Sequence, residues 1–401
     1  MMTTFFETTA IVKEKTEQAV QILEEKDIDL WITFVRETTQ VKDPTVDLLV
    51  GFDLTWTSAL MIHRSGKRIA IVGRYDVPNL ERLGAYGTVI GYDQSLQKPL
   101  IETIESLNPR RIAVNYSESD PAADGLSYGM FRLLSRNLAP TAYASRLVSA
   151  ESVIAALRGR KTPSEISLIK EAIRRTEEVI DQLSRLIRPG ITDVEISDYL
   201  HNYLAENGYL SAWEWEYCPV VTVGPESRSG HSMPANLRTK AGNLVHVDFG
   251  ISRYGFVSDL QRTWYLRKPK ETGAPEDVRR TWNMVTEALE VGRAALKPGA
   301  KGWEVDAAAR SVVVEAGYPE FMHAFGHHIG RNAHDGSTVL GPKWERYGSA
   351  IEGIVEEGNV FAIELEVFVP GRGYVSREEN VLVTADGAEY LSHPQEDIWV
   401  V

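Results

Sequence analysis

The strongest constraint in this chain is a repeat at a fixed offset. Arg188-Pro189-Gly190 returns as Lys297-Pro298-Gly299, Glu195 as Glu304, and Glu206-Asn207-Gly208-Tyr209 as Glu315-Ala316-Gly317-Tyr318, each pair 109 residues apart. Two unrelated helices could share a start or a stop signal. A constant offset over the whole stretch points instead to a duplicated unit. Such a unit predicts a pseudo-symmetric domain with a site between its halves.

Each copy is followed by a strand that carries acids. In Val245-His246-Val247-Asp248-Phe249-Gly250-Ile251 the apolar residues alternate, which leaves His246 and Asp248 together on the other face. A turn near Arg253-Tyr254 leads into a return strand, and a fold about those two residues sets Asp248 opposite Asp259. After the second copy, Phe361 to Phe368 alternates with Glu364 and Glu366 on one face. The turn Pro370-Gly371-Arg372-Gly373, centred on Gly371, puts Glu364 opposite Glu378. Aspartate is a poor strand former, and like charges across a strand pair destabilise it. One such pair is compatible with an exposed hairpin. Two, one in each half of a repeat, call for a cation to offset their repulsion.

Histidines reinforce this reading. His323, His327, His328 and His334 fall within one short glycine-containing stretch. Histidine is a common metal ligand and a proton carrier near neutrality, and glycine permits close backbone approach. Carboxylates with one or two histidines make an oxygen-rich site, better suited to Mn than to a thiolate-type zinc site. Two ions about 3.5–4 Å apart can share a water, lower its pKa and polarise a carbonyl. The reaction class expected is metal-assisted hydrolysis of an amide or ester.

The rest of the sequence bounds this picture. A net charge of −13 argues against a nucleic-acid partner. Cys218 is the one cysteine, so no intrachain disulfide forms, which fits a reducing cytoplasmic setting. Met1 to Thr9 lacks a signal-peptide pattern, and no apolar run approaches the roughly 20 residues a membrane helix needs. Before residue 150 helical and strand-like segments alternate, as in an α/β domain: Ile11 to Glu25 helical, then apolar runs at Asp29 to Val35, Ser58 to His63 and Lys67 to Val72. A helix opens at Thr162 with Pro163 next and Glu165 completing a capping box, and is expected to run to Pro189-Gly190.

From Leu157-Arg158-Gly159-Arg160-Lys161 to the C-terminus the chain resembles the pita-bread metallopeptidases: methionine aminopeptidase, aminopeptidase P and prolidase. Creatinase shares that fold without the metals. The preceding domain resembles the N-terminal domain of the aminopeptidase P, prolidase and creatinase branch, which methionine aminopeptidases lack. The resemblance implies an α/β creatinase-like N-terminal domain over residues 1–155 and an α+β, pseudo-two-fold pita-bread catalytic domain over residues 156–401. It implies two divalent metal ions, Mn first with Co, Fe or Zn as alternatives, held by Asp248, Asp259, His327, Glu364 and Glu378. Asp259 and Glu378 would bridge both ions, Asp248 would serve one, and His327 and Glu364 the other. Glu364 would also be the general base for the bridging water, which would attack as hydroxide. His231, His323 and His334 would position substrate, shuttle protons or stabilise the tetrahedral intermediate. The implied substrates are short proline-containing peptides, cut as Xaa-Pro dipeptides or before a penultimate proline. The implied assembly is a homodimer, with no nucleic acid and no membrane.

Three positions depart from the family pattern. Leu365-Glu366 replaces Pro-Gly, Ser376 (beside Arg377) replaces an arginine, and His328 replaces a glycine. They bear on the substrate pocket and leave open a non-peptide amidohydrolase on the same fold. A binding protein that has lost catalysis would be expected to lack ligands, and here all are present.

Overall fold

In the first part of the chain, short apolar runs fold as strands and the longer amphipathic segments as helices. The structure is a computed structural model and describes residues 2–228, 230, 232–336 and 338–401. The chain separates into two units, Met1–Arg158 and Gly159–Val401.

Among the described residues, the first unit is built on a six-stranded sheet. Its order is Thr88–Tyr92, Arg68–Gly73, Ser58–His63, Leu30–Val35, Ile112–Val114, Leu147–Ser149. The Ser58–His63 strand runs antiparallel to both its neighbours, and the outer pairings are parallel. Leu30–Val35 is buried throughout because its two faces feed two cores. Trp31 and Val35 join one with Leu60 and Val72; Leu30, Ile32 and Phe34 join the other with Met61 and Ile71. That is the strand period of two read on both faces. The helices Met2–Glu25, Gln97–Leu107 and Tyr128–Leu138 complete an α/β unit.

In the second unit the expected capping box is present. The Thr162 hydroxyl accepts from the Glu165 N–H at 3.3 Å, and the Glu165 carboxylate accepts from the Thr162 N–H at 2.8 Å. This opens α1 (Pro163–Ser184), which ends before Pro189-Gly190 rather than at it. The repeated segments are both helices: α2 (Asp193–Asn207) and, after α3 (Glu276–Ala295), α4 (Gly302–Glu315). The repeated Glu195 and Glu304 are their capping glutamates, accepting from the Thr192 and Lys301 N–H groups at 2.8 and 2.9 Å. The repeated glycines, Gly208 and Gly317, follow the helix ends at φ of +65° and +83°.

Strands β1 (Val220–Val223), β2 (Leu244–Phe249) and β3 (Leu260–Tyr265) follow the first helix pair; β4 (Gly326–His328), β5 (Val360–Val369) and β6 (Gly373–Thr384) follow the second. They lie side by side in the order β4-β5-β6-β3-β2-β1, within a sheet of nine strands among the described residues. The two halves meet at β6 and β3, where Glu378 pairs with Gln261. Mirrored order on either side of that seam gives the pseudo-two-fold, pita-bread arrangement. Helix α3 covers one face, where Trp282, Val285 and Leu289 pack with Leu365, Val367 and Val381. The other face is left for acids.

Candidate metal centre

The hairpin of β5 and β6 pairs Glu364 with Glu378 directly, as the turn centred on Gly371 predicts. The first hairpin differs from expectation. It turns at Tyr254-Gly255, so Asp248 lies opposite Gln261 and not Asp259. The shift is two residues, an even number, so both aspartates still face the same side. Asp259 itself lies just before β3, and Asn380 grips its backbone from both sides.

These side chains line one cavity of about 420 Å³. Asp259, His327 and Glu378 offer ligand atoms that all lie within 4.8 Å of one another. The Nε2 of His327 is 3.9 Å from an Asp259 oxygen, 3.8 Å from a Glu364 oxygen and 3.9 Å from a Glu378 oxygen. Asp248, Glu364, His323 and His334 border the same space. Gly326 allows β4 to carry His327 this close to β5, since a Cβ there would stand 2.4 Å from the Ala362 carbonyl oxygen.

The electrostatics ask for a cation. The His327 Nδ1–H donates to the His328 carbonyl at 3.4 Å, which turns the Nε2 lone pair toward the acids. Burial holds the His327 pKa down to about 4, so the ring is neutral. Lone pairs then face lone pairs across gaps too long for hydrogen bonds. Burial pushes Asp259 up to about 8, and burial followed by neighbouring carboxylates pushes Asp248 and Glu378 well above their usual range. Asp248 Oδ1 and Glu378 Oε2 are buried without a hydrogen-bond partner. An ion placed about 2.0–2.2 Å from each ligand would fill such gaps and satisfy those oxygens. The residues therefore fit a divalent metal.

The expected flanking histidines are placed as follows. His334 meets the edge of His327 at 90° with ring centroids 4.4 Å apart. The His323 Nδ1–H donates to the Ala324 carbonyl at 2.8 Å, leaving Nε2 as its acceptor. His231 lies outside the described residues.

The three unusual positions separate. His328 is buried away from the cavity against Phe361, ring centroids 4.0 Å apart. Arg377 also turns away, donating to Thr286 on α3 at 2.9 Å. Glu366 lines the cavity, directly across from Ser376. The Ser376 hydroxyl donates to the side-chain oxygen of Gln261. Gln261 in turn donates to Glu364 at 2.7 Å and bonds His246 at 3.1 Å. Sequence reasoning missed Gln261, and it set His246 on the face of Asp248 without giving it a role. A polar residue on a strand gives no signal until the register places it beside an acid.

The chain matches known proteins over most of its length. Residues 167–385, more than half of the chain, match metallopeptidase family M24. The uncharacterized peptidase YqhT of Bacillus subtilis is 24% identical over 339 residues, covering 84% of this chain and 88% of that protein. The Xaa-Pro dipeptidase from Bacillus anthracis superposes with a TM-score of 0.73 at 22% identity, covering 97% of this chain and 100% of that one. The X-Pro aminopeptidase from Thermotoga maritima does so with a TM-score of 0.70 at 23% identity, covering 96% and 99%. With its duplicated strand hairpins, its converging acids and histidine, and a family match across both halves of the repeat, this chain belongs to metallopeptidase family M24.

Proposed function

We propose that the chain is a dinuclear metal hydrolase that cleaves Xaa-Pro peptide bonds. The observation that carries this reading is the neutral His327 Nε2 facing carboxylate oxygens of Asp259, Glu364 and Glu378 at 3.8–3.9 Å. Asp248, Asp259, His327, Glu364 and Glu378 would hold the ions, Mn first, with Asp259 and Glu378 shared between them. When bound, the ions supply Lewis acidity and activation of water at neutral pH. Glu364 takes the proton from the attacking water. His323 and His334 face the substrate space, where they position substrate or shuttle protons. We assign His231 to the same group.

The cavity favours a substrate's amine over its carboxylate. Beyond the proposed ligands it is lined by Glu214 and Glu366, and by no lysine or arginine among the described residues. A free N-terminal ammonium finds acids there, whereas a proline carboxylate finds no lysine or arginine among the described lining residues. We therefore read the chain as an aminopeptidase acting before a penultimate proline. We further assign residues 1–155 to a creatinase-like N-terminal domain, residues 156–401 to the catalytic domain, and the assembly to a cytoplasmic homodimer, which sedimentation velocity would test. Among the described residues no helix is long and apolar enough to cross a membrane.

The experiment is peptide cleavage by chelator-stripped protein and by protein reloaded with Mn²⁺. Release of alanine from Ala-Pro-Pro only after reloading is the expected result; cleavage of Ala-Pro instead would make the chain a dipeptidase. Silence on both, with metal bound, would overturn the peptide reading in favour of a non-peptide amide, the alternative that Glu366 in the cavity supports.

A further inference from the structure

The acid proposed as base has two oxygens with different neighbours. Glu364 Oε1 lies 3.8 Å from His327 Nε2, on the side of the ligand cluster. Glu364 Oε2 accepts the Gln261 amide N–H at 2.7 Å. A carboxylate only accepts, so the Gln261 nitrogen must face Glu364 and its carbonyl oxygen must face away. That oxygen is held in turn. The Ser376 hydroxyl donates to it, and the His246 Nε2 lies 3.1 Å from it. His246 therefore carries its hydrogen on Nε2, which leaves Nδ1 to accept from the Thr222 hydroxyl at 3.4 Å.

The chain Thr222, His246, Gln261, Glu364 thus has one direction, each group donating to the next. Every member before Glu364 is nearly buried: Thr222 is 2% exposed, His246 3%, Gln261 5% and Ser376 0%. The register makes the arrangement, because β3 sets Gln261 beside β2 on one side and beside Glu378 of β6 on the other. The long glutamine side chain spans β6, and the short serine at residue 376 leaves it the room.

We infer that Gln261 is a positioning residue: it fixes the Glu364 carboxylate so that one oxygen is presented to the metal cluster and the other is held on the protein. The inference rests on the proposed role of Glu364 as ligand and base. Groups that orient a ligand from behind typically change metal affinity or activity by about 10–100-fold when removed. An amide at this point also keeps its donor at every pH at which the protein is folded, unlike a histidine.

The test compares Gln261→Met, which keeps volume and removes donor and acceptor, with the parent protein. Two quantities are read: Mn²⁺ affinity by titration calorimetry, and Tm with and without Mn²⁺. The expected result is Mn²⁺ binding weakened by about 10–100-fold, with the metal-free Tm held and the Mn²⁺-induced rise in Tm reduced. Ser376→Ala, which removes one anchor of the amide and leaves the amide itself, should show the same pattern with a smaller loss; it is the variant to read if Gln261→Met does not fold. Unchanged Mn²⁺ affinity in both variants overturns the inference. So does a loss confined to the metal-free Tm, which would make Gln261 a packing residue. Weakened binding in the variants, with a parent that cuts neither Ala-Pro nor Ala-Pro-Pro, keeps the inference and removes the peptide reading. Cleavage by the parent with unchanged binding in the variants does the reverse.

Discussion

Asn380 holds the backbone of Asp259 by both its polar groups. Its Oδ1 accepts the Asp259 N–H at 3.2 Å, and its Nδ2 donates to the Asp259 carbonyl at 2.6 Å. Asp259 lies just outside a regular strand, so its N–H and C=O have no ladder partner, and one side chain from β6 supplies both. Replacing Asn380 with alanine leaves two buried backbone groups unsatisfied, at about 1–3 kcal/mol each. We expect a lower urea midpoint with an unchanged slope, together with weaker Mn²⁺ binding. A variant whose midpoint matches the parent would show that the grip on Asp259 contributes nothing.

Glu364→Gln and Asp259→Ala should fail in different ways. The first keeps an isosteric side chain and removes the base, so activity should drop by about 10²–10⁴-fold while the fold is retained. The second removes a ligand proposed to serve both ions, so metal content by mass spectrometry under native conditions should fall along with rate. Near-parental turnover in Glu364→Gln, or full metal content in Asp259→Ala, would contradict the roles given.

The pH dependence of the metal-free protein follows from Asp259. Burial raises its folded pKa to about 8, from an ordinary value near 4. The folded state therefore keeps a proton that the unfolded chain has already lost. Its contribution is complete below the unfolded value and declines as pH rises, until the folded pKa is passed. Asp248 and Glu378 shift in the same direction. His246 and His327, both lowered to about 4 by burial, act oppositely, but only below about 6.5. Chelator-stripped protein should thus lose Tm steadily between pH 6.5 and 8, and Mn²⁺ should remove that slope by replacing the protons. A flat Tm over this window without metal would mean that the acids are not protonated together.

Behind the cavity, Glu379 is fully buried and faces Arg262 at 3.2 Å. Ser392 and the Gln395 N–H also bond it, at 2.7 and 3.0 Å. Glu379→Ala would strand a buried guanidinium, which typically costs about 3–5 kcal/mol. Thermal unfolding checks this, and a cost below about 1 kcal/mol would mean that the carbonyl oxygens of Gln261, Glu378 and His393, which Arg262 already bonds, suffice for it.

What the sequence made legible varied with the turn that set each register. Gly371, at φ +74°, marked the second hairpin unambiguously, and Glu364 lies opposite Glu378 as read. In the first hairpin the turn was set one residue early. Tyr254 and Gly255 both have positive φ, and the glycine was the better marker of the centre. The error moved Asp248 from Gln261 to Asp259 without changing its face. The repeat was legible because helix caps leave fixed spacings: Glu195 and Glu304 are both capping glutamates. The α1 end differs from the expectation because Pro189-Gly190 forms a turn of its own, separated from the helix end by Arg185 to Arg188. Gln261 could not be read at all, since its significance depends on Ser376, more than a hundred residues away in the chain.

The order of strands at the seam has a consequence for how the chain reaches this state. β6 comes last of the six core strands in sequence, yet it lies in the middle, between β5 and β3. Until it inserts, β3 presents an open edge, which in a nascent chain is a template for aggregation. Closing the β3–β6 seam also requires contact between residues as distant as Gln261 and Glu378, the kind of pairing that forms slowly. Ligands on both sides of that seam come together only when it closes. During refolding, metal uptake would therefore act as a clock for the joining of the two halves, and a supply of metal would pull a slow, reversible docking step toward completion.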